Sequence, residues 1–222
     1  MNSAVLLVND DAFELATLAE AMRLRGINLS GKSNNLATAE NLFITLQPDV
    51  VVIDVLFNSR KGVELANQMR KKNPNLGVVH TSSCPDLRLI GIQEKDVAKS
   101  ARLVFKRSMA DLDVLCDAIP DSLRAVAANE STLWVNRHLQ GNGNSTYAIA
   151  NELTNIQIET LRLVAVGMSN GEIAKMRFVS EKSVEQIVAR IAQHLQIESD
   201  RKRNLRVLLT NQYHKWVGAS EI

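Results

Sequence analysis

Short apolar runs separated by longer mixed segments set the pattern of the first half of the chain. The runs are Val5-Leu6-Leu7-Val8, Val50-Val51-Val52-Ile53, Val78-Val79-His80 and Leu103-Val104-Phe105. They are β-branched or aliphatic and too short for core helices, so they predict buried parallel strands. The intervening segments are long enough for crossover helices around residues 12–24, 35–46, 61–72 and 86–98, with another at 108–119. A weaker strand, Ile27 to Lys32, completes an alternating β/α pattern. The expected fold is α/β, with a doubly wound, five-stranded parallel sheet. In such sheets ligands bind beyond the carboxyl ends of the strands. Asp10, Asp11, Asp54, Thr81 and Lys106 all stand at or just past the end of an apolar run, so residues far apart in sequence should meet in one crevice.

Beyond residue 150 the period changes from strands to helices. Thr154-Asn155-Ile156-Gln157 and Ser169-Asn170-Gly171-Glu172 both fit the capping box that opens a helix. Gly167 closes the first helix, Ser180 can cap a third, and Asp200 a fourth that runs to about Tyr213. In the third, Val184, Ile187, Val188, Ile191 and Leu195 recur at three- and four-residue steps and predict one buried stripe. Lys182, Glu185, Gln186, Ala189, Arg190 and Gln193 then face outward. Helices at 170–176 and 181–195, joined by the tight Arg177-Phe178-Val179 turn, have helix-turn-helix proportions. The outer face of the later helix would enter a DNA major groove.

A polar run, Gly141-Asn142-Gly143-Asn144-Ser145-Thr146, separates the two patterns. It divides the 222 residues into a domain at 1–120, a linker at 121–150 whose first half is partly helical, and a second domain at 151–222. Formal net charge is only +2, so any nucleic-acid contact has to come from a local patch. The excess lies in residues 151–222, which hold ten Lys and Arg against eight Asp and Glu. Cys84 and Cys116 are the only cysteines, without CxxC spacing, which suits a reducing compartment. Asp10 and Asp11 break the first apolar run too early for a signal peptide or membrane span. The expectation is a cytoplasmic protein.

Taken singly, an aspartate after a strand is usually a helix cap or turn former. Jointly, the five polar residues, with Gly62 eight positions beyond Asp54, resemble the receiver domain of bacterial two-component response regulators, a flavodoxin-like fold. Residues 152–197, ELTNIQIETLRLVAVGMSNGEIAKMRFVSEKSVEQIVARIAQHLQI, resemble the all-α, four-helix LuxR-type helix-turn-helix. The two together imply a transcriptional regulator of the NarL/FixJ class, switched by phosphorylation and acting as a homodimer on double-stranded DNA. It would not be an enzyme, beyond its own phosphoryl transfer and slow autodephosphorylation.

In that resemblance Asp54 is the phosphoacceptor, served by a histidine kinase. Carboxylate oxygens suit Mg²⁺ (or Mn²⁺), and the ligands would be Asp10, Asp11, Asp54 and the backbone carbonyl of Leu56. Lys106 would neutralise charge on the transferred group, and the Thr81 hydroxyl would bond a phosphoryl oxygen. Lys182, Ser183, Gln186 and Arg190 would contact DNA. The chain departs from the family at Leu56, at Asn58 where proline is common, at Leu103 where an aromatic switch residue is frequent, and at Arg107. Glu185 and Ile187 stand at recognition-helix positions that are commonly basic or histidine. An alternative is a phosphorylation-independent receiver-like module. An aspartyl phosphatase is disfavoured, because Asp54-Val55-Leu56 lacks a second acid two residues on.

Overall fold

The computed structural model describes residues 3–106, 112–135, 152–197 and 203–217. They form two compact units. The first holds the described residues up to Ser82 and those from Glu94 to Val135, and the second holds Ser83–Gln93 and those from Glu152 onward.

In the first unit the chain runs β1 (Val5–Val8), α1 (Ala12–Leu24), β2 (Leu29–Ser33), α2 (Leu36–Leu46), β3 (Val50–Asp54), a one-turn α3 (Phe57–Arg60) and α4 (Gly62–Lys72). It continues with β4 (Gly77–Ser82), β5 (Arg102–Phe105), α5 (Asp113–Ala127) and β6 (Leu133–Trp134). Every neighbouring pair is parallel, in the order β2-β1-β3-β4-β5-β6. β1, β3, β4 and β5 are buried along their whole length around their central apolar runs, with His80, Thr81 and Arg102 among the buried polar residues. One layer of the core joins Val5, Leu7, Val50, Val52, Val79 and Val104 to Leu15, Leu18 and Met22 of α1 and Val114, Leu115 and Ile119 of α5. Burying each of the larger side chains contributes about 1.5–3 kcal/mol.

Three features differ from the sequence reading. The sheet has a sixth strand: the N–H groups of Leu133 and Val135 donate to the carbonyls of Ala101 and Leu103, at 3.1 and 2.8 Å, and cover the edge of β5. A two-residue strand is too short to leave a period in the sequence. Second, α5 runs through Pro120 to Ala127, so the helix crosses the expected domain boundary at 120. Third, residues 86–98 form no α-helix but two 3₁₀ turns, Leu87–Ile90 and Glu94–Asp96. Asp86 caps the first, and Gly91, with φ +83°, closes it in the left-handed region.

The second unit contains α6 (Asn155–Ala165), α7 (Asn170–Arg177), α8 (Glu181–His194) and α9 (Leu205–Val217). Thr154 and Gln157 complete both halves of a capping box. At Ser169 only the hydroxyl half forms, because the Glu172 carboxylate turns to Lys175 instead, at 2.8 Å. Val184, Val188, Ile191 and Ala192 line the buried side of α8, with Ile187 and Leu195 half-buried beside them. Asp200 lies outside the described residues, and α9 begins at Leu205. The Ser83–Gln93 segment belongs to this unit: Arg88 donates to Asn155 at 2.8 Å, and the Tyr213 hydroxyl donates to the Leu89 carbonyl at 2.8 Å.

Candidate functional site

The carboxyl ends of β3, β4 and β5 place three of the expected residues together. Asp54 ends β3, opposite Thr81 of β4 in the register, and Lys106 follows the last residue of β5. The Asp54 carboxylate is 3 % exposed and is the most heavily bonded group of the crevice. Its Oδ1 accepts the Leu56 N–H at 2.6 Å. Its Oδ2 meets the Lys106 ammonium at 2.6 Å and, at a longer 3.4 Å, the Thr81 hydroxyl. Burial pushes the Asp54 carboxyl above the ordinary carboxylate range, against the Lys106 charge and the bonds from Lys106 and Leu56, and the nearby Glu14 charge adds to the rise. Burial alone would lower Lys106, but Asp54 and Glu14 outweigh it and hold the ammonium above its usual value.

The backbone around Asp54 is shaped for this contact. After β3 the chain turns through Asn58, Ser59 and Arg60, all with positive φ, so α3 is a left-handed turn rather than a regular helix. Gly62 then lets α4 start against the strand end: a Cβ there would overlap the Asp54 carbonyl. That is the physical content of the Asp54–Gly62 spacing.

The other expected residues are placed differently. Asp11 caps α1, its Oδ1 accepting the Glu14 N–H at 2.8 Å. Asp10 is exposed and its Oδ2 accepts the Asn58 N–H at 3.0 Å, a donor that a proline there would lack. The Leu56 carbonyl accepts the Arg60 N–H at 3.0 Å. Among the described residues, no group of three His, Cys, Asp or Glu side chains is arranged to hold a metal ion. Asp10, Asp11 and the Leu56 carbonyl each accept one backbone N–H, and Asp54 Oδ1 accepts another. Among the described residues, Lys106 is the cation that faces the Asp54 carboxylate.

Two residues of the crevice escaped the sequence reading. Buried Asn9 accepts the Asp11 N–H on its Oδ1 at 2.9 Å, orienting the acidic pair. Glu14 accepts from the Lys106 ammonium at 2.6 Å. Only the position of Glu14 one turn into a helix that starts at the acidic pair could have pointed to it.

A second candidate surface lies on α8. Ser180 caps the helix, accepting the Ser183 N–H at 3.1 Å, and the two hydroxyls bond at 2.8 Å. Ser183 is therefore half-buried and shared with the cap, whereas Lys182, Gln186 and Arg190 are exposed, as are Glu185, Ala189 and Gln193. The α7–α8 turn closes on Phe178, left-handed at φ 55° and 96 % exposed. Arg206 is not free for such a surface: its guanidinium bonds Asn170 at 2.6 Å and the Met168 carbonyl.

The bacterial regulatory proteins of the luxR family match residues 151–203. Over 207 residues the chain is 27 % identical to the transcriptional regulatory protein LiaR of Bacillus subtilis, covering 89 % of this chain and 92 % of LiaR. Residues 151–203 thus carry a luxR-family domain, and the chain is similar to response regulators over most of its length. Response regulator protein VraR of Staphylococcus aureus is 25 % identical over 153 residues, 69 % of this chain and 70 % of VraR. In fold, the chain is similar to a structure of two RcsB dimers bound to two parallel DNAs, with a TM-score of 0.59, 18 % identity and full coverage of both chains.

Proposed function

We propose that this chain is a response regulator of the NarL/FixJ type that accepts a phosphoryl group on Asp54 from a histidine kinase and thereby switches DNA binding by its second unit. One observation carries the reading: the ends of three adjacent strands bring an ammonium and a hydroxyl onto one oxygen of a buried carboxylate. A carboxylate oxygen of Asp54 would attack the phosphorus, the P–N bond to the kinase imidazole would break, and the ring nitrogen would leave with the bonding pair. Lys106 would offset the added charge, roughly one and a half to two negative units, and Thr81 would follow the new oxygens. Thr81 adjoins Ser82, the last residue of β4, so its movement would reach the start of the Ser83–Gln93 segment through the chain itself.

Mg²⁺ or Mn²⁺ is the cofactor that receiver domains generally take. In this chain Asp10 and Asp11 accept the Asn58 and Glu14 N–H groups on one oxygen each and would coordinate the ion through their remaining lone pairs. The alternative reading is a receiver-like unit that works without phosphorylation. Intact mass after incubation with Mg²⁺ and acetyl phosphate separates the two: a gain of roughly 80 daltons that is lost in Asp54→Asn supports the acceptor reading, and no gain supports the alternative.

For the second unit we propose that Lys182, Gln186 and Arg190, with Ser183 at the helix start, meet DNA through the major groove. A homodimer would read two half-sites about one helical turn, on the order of 34 Å, apart. Cytoplasmic action agrees with two free cysteines, and among the described residues no helix is long and apolar enough to cross a membrane.

A further inference from the structure

We propose that Glu14 is a positioning residue of the acceptor crevice: it holds the Lys106 ammonium against Asp54 in the resting protein and competes for it with an arriving phosphoryl group. The proposal rests on the reading of Asp54 as phosphoacceptor. An ammonium has three N–H donors. Two of them are committed here, to Glu14 Oε2 and Asp54 Oδ2, each at 2.6 Å, slightly shorter than the roughly 2.7–2.9 Å of charge-assisted N–H···O bonds. The two acids come from different elements, the first turn of α1 and the end of β3. Lys106, just past β5, therefore ties three parts of the crevice together.

The first turn of α1 fixes this contact. Asp11 accepts the Glu14 N–H, and Asn9 accepts the Asp11 N–H, so the acidic end of β1 positions Glu14. The lysine and glutamate side chains are partly exposed, at 19 % and 27 %, so the contact is strained neither by burial nor by lack of solvent. Its consequence is electrostatic. A phosphorylated donor is an anion, and Glu14 adds a negative charge beside the carboxylate it must approach while occupying the cation that would help it. Once phosphate is on Asp54, the new oxygens and Glu14 share one ammonium.

Glu14→Gln keeps the shape and the N–H bond to Asp11 while removing the charge. Glu14→Asp keeps the charge but withdraws it from Lys106. Two measurements on the full chain test the proposal. In the absence of any phosphodonor, a short pulse of an amine-acylating reagent is read by mass spectrometry at Lys106 relative to exposed Lys32. Labelling should rise several-fold in both variants. With Mg²⁺ and varied acetyl phosphate, Glu14→Gln should be phosphorylated with an apparent KM about two- to fivefold lower, the size of one partly screened charge, at nearly unchanged maximal rate. Glu14→Asp, which frees the ammonium but keeps the charge, should show a smaller decrease in KM.

Unchanged Lys106 labelling in Glu14→Gln overturns the clamp, whatever the phosphorylation result. A Glu14→Gln protein that takes phosphate no more readily than the parent overturns the competition. If the parent itself gains no phosphoryl group, the acceptor reading of Asp54 fails instead, and the labelling alone decides the role of Glu14.

Discussion

At the scale of single residues, the acceptor crevice was legible where chemistry follows from strand position and hidden where it depends on a side-chain conformation. Asp54, Thr81 and Lys106 could be read because a residue within one position of the end of a buried strand has few places to point. Glu14 and Asn9 could not, since their roles turn on one rotamer each. His80 shows how burial alone sets a residue's behaviour. It lies fully buried on β4, with Nδ1 3.3 Å from the Ile53 carbonyl, and burial pushes its pKa down to about 4, the weak backbone contact acting the other way. The unfolded chain therefore takes up this proton first as pH falls. Stability associated with neutral His80 is fully present above about 6.5 and is lost as pH drops towards about 4, where it levels off. His80→Gln is expected to reduce the pH dependence of urea unfolding by about 3 kcal/mol across that window. Identical pH slopes for the two proteins would show that His80 is not held neutral.

At the scale of elements, patterning found every long helix and every fully buried strand, and failed where tertiary packing or a special backbone conformation decides. The 86–98 segment has enough length for a crossover helix, but the three-residue step from Leu87 to Ile90 is not continued, since Gly91 is left-handed and Glu94 is exposed. The left-handed turn at Asn58, Ser59 and Arg60 carries no glycine to announce it. Gly62 did announce itself, through its spacing from Asp54. Gly62→Ala would push a methyl group into the Asp54 carbonyl, which strand backbone cannot easily yield. A loss of about 1–3 kcal/mol in chemical unfolding is expected, with Asp54 and its bond from Leu56 displaced. Unaltered stability would mean that α4 can start elsewhere.

At the scale of the whole molecule, the division into two units was visible in the change from strand to helix periodicity, but its course along the chain was not. The first unit continues past 120 because α5 crosses Pro120 and β6 pairs with β5. Arg102, 2 % exposed on β5, bonds Asp121, Glu130 and the Ser131 carbonyl, which secures this extension. The second unit takes in Ser83–Gln93, a membership that no sequence period encodes because it depends on contacts with α6 and α9. Tyr213→Phe, which removes the hydroxyl bond to the Leu89 carbonyl, should destabilise that unit by about 1 kcal/mol in thermal or chemical unfolding, and no change would mean that the bond contributes nothing.

The central claim is that phosphate on Asp54 governs DNA binding, and its most direct test is DNA affinity at fixed salt, with and without acetyl phosphate, for the parent and for Asp54→Asn. The parent should bind several-fold more tightly once phosphorylated, and Asp54→Asn should not respond. Donor-stimulated binding that persists in Asp54→Asn would contradict the account.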